Sequence, residues 1–296
     1  MSIIDRIIVG IARSKMAKKD EQRLTKLAYP EKIYTMTDIR YMDGKNKFHL
    51  FDVKFKEGAS SKEKTIVDIH GGGLFYGDKD LNRFYDAELA DKGFVVVAPS
   101  YRLSPKVKLI DQIQDLFAFF HFLEANISKY PIDINQMYLT GDSAGGFLSA
   151  LVILINDSKE LQELFNVKKF SINFRAMALT CGMMNINQEG RLLFVRRITL
   201  GKKYMNVNFY KYLDFSSMPN IKNLIPTYLV TSDEDYLNTM TFYFEEILKQ
   251  NDIEYKFDYI KKNDEGELGH VFSVLYPKNK YSQQVINNMI DFFLKH

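Results

Sequence analysis

Short apolar segments alternate with longer amphipathic segments along most of the chain. The apolar segments hold four or five residues each and lie at 65–69, 94–98, 137–140, 176–179 and 227–230. Such segments are typical of strands buried on both faces of a parallel sheet, and a last strand is predicted at 255–259. Helical periodicity predicts helices at 82–92, 109–129, 146–155, 238–250 and 283–295. This alternation of strand and helix predicts an α/β fold with a mostly parallel sheet.

Three further segments depart from this alternation. Residues 47–56 carry apolar or aromatic side chains at alternate positions, which predicts a half-buried antiparallel strand. Near the N-terminus an amphipathic helix continuing to Lys26 is predicted, because one face would carry Ile3, Ile4, Ile7, Ile8 and Ile11. Its basic residues indicate a solvated face, with a membrane-surface or partner-binding role as the alternative. Residues 183–224 fit neither pattern, and we interpret them as a cap inserted over the carboxyl edge of the sheet.

Composition restricts the class of protein. The 296 residues are 46% hydrophobic and 26% charged, which excludes a disordered or fibrous chain and favours one domain spanning 1–296. The formal charge of +3 is too small for nucleic-acid binding, so we expect no nucleic-acid partner. Cys181 is the only cysteine, and a lone thiol favours a reducing, cytoplasmic location. Asp5, Arg6 and Arg13 interrupt the first apolar stretch, so we expect no integral membrane segment.

A nucleophilic serine is indicated by the sequence Gly-Asp-Ser-Ala-Gly-Gly at 141–146. It lies between a predicted strand and a predicted helix, where a tight turn would expose Ser143 at the sheet edge. The plain alternative is a glycine-rich turn with an idle serine. Neither a dinucleotide-binding loop nor a phosphate-binding P-loop motif occurs, so we expect no cofactor.

A second signal is the run His70-Gly71-Gly72-Gly73, which directly follows a predicted strand. Consecutive glycines expose backbone N–H groups, and a tetrahedral oxyanion needs two or three such donors fixed in advance. The candidate oxyanion-hole donors are Gly71, Gly72, Gly73 and Ala144. A flexible loop or a phosphate-binding nest is the alternative.

A serine nucleophile needs a base, and the five histidines are His49, His70, His121, His270 and His296. The first lies in a strand, the second begins the glycine loop, the third lies in an apolar helix and the last ends the chain. His270, in the loop between the last strand and the last helix, is therefore the predicted base. A metal pair Glu267-x-x-His270 would need a helix and a second copy, so we expect no metal.

An acid that orients the histidine should lie between serine and histidine in chain order. The loop after the strand at 227–230 offers Asp233, Glu234 and Asp235. Spacing alone does not choose among these three carboxylates.

Together these motifs resemble the hormone-sensitive-lipase branch of the α/β-hydrolase superfamily. Residues 141–146 match its G-D-S-A-G-G, residues 70–77 match its H-G-G-G-[FW]-x-x-G with the aromatic shifted, and residues 101–105 nearly match Y-R-L-A-P. The family's D-x-L falls on 235–237, which selects Asp235, and its H-[GA]-F falls on 270–272. Val271 replaces the usual small residue, and the prolines usual after residue 105 are missing.

The resemblance implies an α/β-hydrolase fold with helices on both faces of the sheet and a helical cap built from 1–45 and 183–224. It implies a carboxylic ester hydrolase acting on a small-molecule ester through Ser143, His270 and Asp235. We expect short acyl chains, because the isoleucines of the N-terminal helix and the aromatics Phe209, Tyr210 and Tyr212 would roof the site. A homo-oligomer is compatible with the sequence. The alternative function is a non-catalytic ligand-binding or regulatory protein on the same fold.

Overall fold

The computed structural model describes residues 3–187, 190, 192–262 and 268–296, and these contain an eight-stranded sheet. Its strands are β1 (Ile33–Arg40), β2 (Leu50–Lys56), β3 (Glu63–Ile69), β4 (Val95–Pro99), β5 (Ile132–Asp142), β6 (Phe174–Thr180), β7 (Thr227–Ser232) and β8 (Tyr255–Ile260). The spatial order is β1-β2-β4-β3-β5-β6-β7-β8. Strand β2 runs antiparallel to β1 and β4, and the other neighbours are parallel. The predicted antiparallel and parallel parts of the sheet are therefore both present.

Helices cover both faces of this sheet. In the described residues they are α1 (Ile3–Leu24), α2 (Arg83–Asp91), α3 (Leu109–Asn126), α4 (Ala144–Asp157), α5 (Lys159–Phe165), α6 (Leu193–Leu200), α7 (Asn238–Gln250), α8 (Phe272–Leu275) and α9 (Lys280–Lys295). Alternate strand residues enter different cores: Val67 joins the core that includes side chains of α3, α4 and α7, and Ile66 joins that of α2 and α9. Side chains on both faces of the central strands are buried and must be apolar. The central strands are therefore continuous apolar segments in the sequence.

Strand β1 and helices α5 and α8 have no counterpart in the sequence predictions, and α6 is anticipated only as part of the helical cap at 183–224. In β1 every residue is half-buried or exposed, because the strand forms one edge of the sheet and alternates polar with apolar residues only weakly. Helices α5 and α6 have only seven and eight residues, too few for a clear helical period.

The predicted N-terminal helix is present, but its expected orientation is wrong. Ile4, Ile7, Ile8 and Ile11 are 66%, 55%, 41% and 65% exposed, while Val9 and Asp5 on the other side are each 2% exposed. The side chain of Ile3 lies outside the described residues. Polar contacts determine this orientation, since Arg197 of α6 donates to the buried Asp5 at 2.5 Å. Within the described ranges, no helix is both long and apolar enough to cross a membrane.

The expected aromatic roof from residues 209–212 is also wrong. Phe209 packs against Phe165 of α5 with ring centroids 4.6 Å apart, and the Tyr212 hydroxyl donates to Glu160 at 2.8 Å. Tyr210 lies beside Tyr204, 5.5 Å between ring centroids. These rings therefore attach the segment to α5 and to itself. Packing against apolar neighbours removes more of the apolar ring surface from water than a position above an open cavity would.

Candidate active site

Ser143 occupies a strained turn between β5 and α4. Its φ is 50° and its ψ is −114°, a conformation that few residues other than glycine adopt. A Cβ atom on Gly145 would overlap the carbonyl oxygen of Ile69, and one on Gly141 would overlap the backbone of Gly145. Gly145 thus lets α4 approach the end of β3, and Gly141 lets α4 approach the end of β5, which places the serine beside the His70 loop.

Ser143, His270 and Asp235 form one hydrogen-bonded chain. The Ser143 hydroxyl lies 2.9 Å from Nε2 of His270, and Nδ1 of His270 lies 2.6 Å from Oδ1 of Asp235. The imidazole side chain is 15% exposed and the carboxylate is fully buried, so solvent reaches the ring but not the acid. The structure thus brings together all three residues that the sequence indicates for the triad.

The other two carboxylates of the loop point elsewhere. Asp233 accepts hydrogen bonds from the backbone N–H of Lys262, and Glu234 accepts one from the N–H of Leu268 at 2.8 Å. Both therefore brace the segment that carries His270 without touching its ring. The direction in which each side chain points, rather than its position in the sequence, distinguishes the acid that contacts His270 from the other two.

Two further donors hold Asp235 in the ionised form. The backbone N–H of Leu237 donates to Oδ1 at 3.0 Å, and the hydroxyl of Thr231 donates to Oδ2 at 2.7 Å. Burial raises the pKa of Asp235, but the hydrogen bond and charge of His270 together with these donors outweigh it and hold the pKa below its usual value. Thr231 belongs to none of the motifs described above, so its contact with Asp235 could not be predicted from them.

Cys181 lies behind the same acid. Its Sγ, a carboxylate oxygen of Asp235 and a ring nitrogen of His270 all lie within 4.8 Å of one another, the spacing of a metal-ligand set. Burial and the charge of Asp235 raise the pKa of the thiol well above its usual value, which disfavours the thiolate that a metal requires. His270 and Asp235 also share a hydrogen bond, which occupies atoms that would have to coordinate the ion, so these three residues fit a metal poorly. Glu267, the other candidate ligand, lies outside the described residues.

The glycine loop presents amide groups beside the serine. Gly72 and Gly73 have φ values of 93° and 60°, which a side chain would make costly. Within the described part of the chain, the N–H groups of Gly72, Gly73 and Ala144 have no protein acceptor, so they are free to bind an oxyanion. Gly71 differs from the expectation: its N–H donates to Oδ1 of Asp142 at 2.9 Å and is not available to a substrate.

Buried polar groups fix that loop against the serine turn. Nδ2 of Asn82 donates to Oδ1 of Asp142 at 2.8 Å and to Oδ2 of Asp68 at 2.9 Å. Burial raises the pKa of Asp142, and the hydrogen bonds from Asn82 and Gly71 oppose the rise. Asp142 immediately precedes Ser143, so it joins the serine turn directly to the glycine loop. Asn82 lies at the start of α2, outside any motif that the sequence analysis used.

His70 braces the start of this loop, as the sequence indicates. Its ring stacks on Tyr101 at 4.4 Å between centroids, and its Nδ1 donates to the carbonyl oxygen of Gly71 at 2.9 Å. Burial lowers the pKa of His70 to about 4, so the imidazole is neutral at physiological pH.

A cavity of about 470 Å³ opens above the serine. Helix α1 contributes Met16, Lys19, Asp20 and Arg23 to its wall, and the segment around α6 contributes Met183, Leu192, Phe194 and Val195. Tyr236 and Val271 lie on the side of the histidine. Val271 has a φ of 54°, a costly conformation for a β-branched residue, which accounts for the small residue usual at this motif position.

Helix α1 is tied to the loops on both sides of the cavity. Arg13 donates to the carbonyl oxygens of Phe75 at 2.6 Å and Ser104 at 2.8 Å, next to the glycine loop. The hydroxyl of Tyr76 donates to Asp20 at 2.8 Å, and Arg23 donates to the carbonyl oxygen of Leu275, five residues beyond His270, at 2.9 Å. Arg13 and Arg23 thus contact the protein, whereas the basic residues of this helix were expected to lie on a solvated face.

Comparison with known proteins gives the same family and fold. A family model described as BD-FAE matches residues 51–237. Neutral cholesterol ester hydrolase 1 from Pongo abelii is 36% identical over 109 residues, which covers 33% of this chain and 26% of that protein. Lipase 2 from Moraxella sp. (strain TA144) is 33% identical over 97 residues, which covers 32% and 22% respectively. The chain thus spans about a quarter of the length of these curated relatives.

Solved structures resemble the chain over nearly its whole length. Esterase B from Lactobacillus rhamnosis, crystallised with a C4-C4 SN3 tributyrin phosphonate inhibitor, has a TM-score of 0.92 and 29% identity, covering 99% of this chain and 95% of that one. A bacterial heroin esterase has a TM-score of 0.75 and 18% identity, covering 96% and 90%, and shows the shared fold alone.

Proposed function

This chain belongs to the BD-FAE family, a hormone-sensitive-lipase-like family of α/β-hydrolase esterases, and we propose that it hydrolyses short-chain carboxylic esters through an acyl-enzyme on Ser143. The observation that carries the proposal is the chain of hydrogen bonds from Ser143 through His270 to Asp235, with distances of 2.9 Å and 2.6 Å. Nucleophile, base and acid must lie at such distances for the serine to be activated.

The first step is attack of the Ser143 oxygen on the ester carbonyl carbon while Nε2 of His270 takes the hydroxyl proton. The resulting imidazolium lies beside the buried carboxylate of Asp235, whose negative charge stabilises it. His270 then gives the proton to the departing alcohol oxygen, which leaves the acyl group on the serine. A water molecule, activated by the same imidazole, releases the acid and restores Ser143.

The negative charge that develops on the carbonyl oxygen needs fixed donors. We assign this role to the N–H groups of Gly72, Gly73 and Ala144, since Gly71 is already bonded to Asp142. The N-terminus of α4 begins at Ala144 and adds a favourable dipole. Asn82 and Asp142 are positioning residues in this scheme, because they hold the donors in place before substrate binds.

The proposed cap comprises parts of the two segments 1–45 and 183–224. Helix α1 and the residues around α6 both line the cavity, and the contact between Asp5 and Arg197 joins them. The remainder of the second segment packs on α4, α5 and α7 instead. This division of the single domain remains our proposal.

The cavity supports a preference for short acyl groups. Its volume of about 470 Å³ lies toward the low end of small-molecule pockets. Leu192, Phe194 and Val195 would limit the length of a chain extending from the serine. The butyryl-type inhibitor of the Lactobacillus esterase is consistent with this range.

Two measurements test the proposal. A fluorophosphonate probe should label the native protein covalently, and Ser143→Ala should remain unlabelled although it melts at the same temperature. Initial rates on p-nitrophenyl esters from acetate to palmitate then locate the preferred acyl length. A native protein that neither labels nor turns over any of these esters would favour the ligand-binding alternative.

A further inference from the structure

The N-terminal half of α1 presents an exposed apolar face. Ile4, Ile7, Ile8 and Ile11 are each between 41% and 66% exposed and lie within an arc of about 100° around the helix. Scattered exposed apolar residues are ordinary, but four large ones on adjacent turns form a contiguous patch. We call these four side chains the isoleucine face.

The same side of the helix becomes basic in its C-terminal half. Lys15, Lys18 and Lys19 follow the isoleucines on this side, all exposed, and make no ion pair with any residue in the described ranges. The acids of the helix lie away from them: Asp5 binds Arg197, Asp20 binds Tyr76 and Arg23, and Glu21 projects to one edge. The exposed side of α1 is therefore apolar at one end and positively charged at the other.

The isoleucine face cannot turn inward without breaking specific contacts. Asp5 and Val9 are buried on the opposite side, and Arg13 is held by two carbonyl oxygens at 2.6 Å and 2.8 Å. Rotation of the helix would bury the isoleucines only by removing these hydrogen bonds and exposing the ion pair with Arg197. The orientation is fixed by the polar side, and the exposed apolar side is left for another partner.

We infer that this side of α1 binds the surface of an anionic lipid bilayer. An amphipathic helix lying in the interface inserts its apolar face at the boundary of headgroups and acyl chains, while lysines contact anionic headgroups. A second copy of this chain fits less well, because a face with three lysines and no acid offers no complementary charge to itself. The inference goes beyond the proposed function and does not depend on the triad.

Docking in this way would place the entrance of the cavity near the lipid. Lys19 belongs both to the exposed side of α1 and to the wall of the cavity. An ester dissolved in the bilayer surface would then have a short path to Ser143. Delivery of an ester from the bilayer would affect only the supply of substrate. Binding of α1 to the bilayer can be measured without any ester hydrolysis.

Sedimentation with lipid vesicles tests the inference. The full-length protein should pellet with vesicles of phosphatidylcholine and phosphatidylglycerol at about 7:3, much less with phosphatidylcholine alone, and less again as salt screens the lysines. Ile7→Asp with Ile11→Asp should reduce binding at least about tenfold, since charge at these positions opposes insertion. Lys15→Glu with Lys18→Glu should remove the preference for anionic lipid.

Control variants carry one substitution of each kind elsewhere on the surface. Ile134 is 38% exposed on β5 and Lys222 is exposed between β6 and β7, so Ile134→Asp and Lys222→Glu should bind vesicles like the native protein. All four variants should keep native melting temperatures and native rates on a water-soluble ester. The inference is overturned if the native protein ignores anionic vesicles. It is also overturned if the α1 variants bind normally, or if light scattering shows a dimer that Ile7→Asp with Ile11→Asp dissociates.

Discussion

Replacement of Asp235 by asparagine should lower kcat for p-nitrophenyl butyrate by about 10³. The backbone N–H of Leu237 donates to Oδ1, the same oxygen that accepts from His270, at 3.0 Å. An asparagine is therefore expected to place its carbonyl oxygen there and its amide group at the position of Oδ2. Thr231, which donates to Oδ2 at 2.7 Å, can turn its hydroxyl to accept instead.

This arrangement preserves the tautomer of His270, so the loss comes from the missing charge. Two unit charges about 4 Å apart interact by about 4 kcal/mol at an effective dielectric constant near 20. Each 1.36 kcal/mol is about tenfold in rate, which gives a loss near 10³. A wrong tautomer, in which Nε2 carries the proton, would cost closer to 10⁴.

The assay is kcat per active site, with the folded fraction checked by thermal melting. Asp233→Asn is the matched control: its carboxylate accepts from the N–H of Lys262 and is remote from the imidazole, so its rate should stay within about twofold. A loss below tenfold for Asp235→Asn would refute the role given to its charge. If Asp233→Asn is the more damaging change, the acid lies two residues earlier in the loop.

Three further predictions concern the same site. Ser143→Ala and His270→Ala should each remove nearly all ester turnover while the melting temperature stays within a few degrees, because the triad acts as a unit; substantial turnover in either variant would contradict the assignment. Asn82→Leu should lower kcat by about 10- to 100-fold with little change in KM, because the oxyanion donors lose a brace that acts in the transition state; a change confined to KM would exclude this positioning role. The specificity constant should peak between acetyl and hexanoyl esters, and Phe194→Ala should move the maximum to longer chains by enlarging the cavity; a native maximum at dodecanoyl or longer would contradict the short-chain pocket.

Local chemistry explains why much of the site could be predicted from the sequence. A serine between glycines at a strand-to-helix junction and a glycine run after a strand are both short-range signals, and the family they suggested is confirmed by the match at 51–237. Elimination among five histidines was sufficient to single out His270. The choice among Asp233, Glu234 and Asp235 needed the family motif, because all three share one loop and differ only in direction.

Long-range contacts explain what could not be predicted. Periodicity predicted α1 correctly but could not say which side of it faces the protein. That choice depends on the contact between Asp5 and Arg197, which lie 192 residues apart, and on carbonyl groups bound by Arg13. An apolar stripe on a helix usually indicates the buried side, and here polar anchors override it. The bond from Gly71 to Asp142 likewise joins residues 71 positions apart.

The anchors of α1 couple this helix to the geometry of the candidate active site. Arg13 holds the carbonyl of Phe75 beside the oxyanion loop, Asp20 accepts from Tyr76, and Arg23 holds the carbonyl of Leu275 beyond the histidine. Removing the first twenty residues would thus release the oxyanion loop as well as open the cavity. A changed preference for acyl length in such a truncated protein would therefore have two causes that the assay could not separate: the missing cavity wall and the displaced catalytic loops. Met16 lines the cavity while the anchors remain in place, so a substitution there changes the shape of the pocket without releasing the loops.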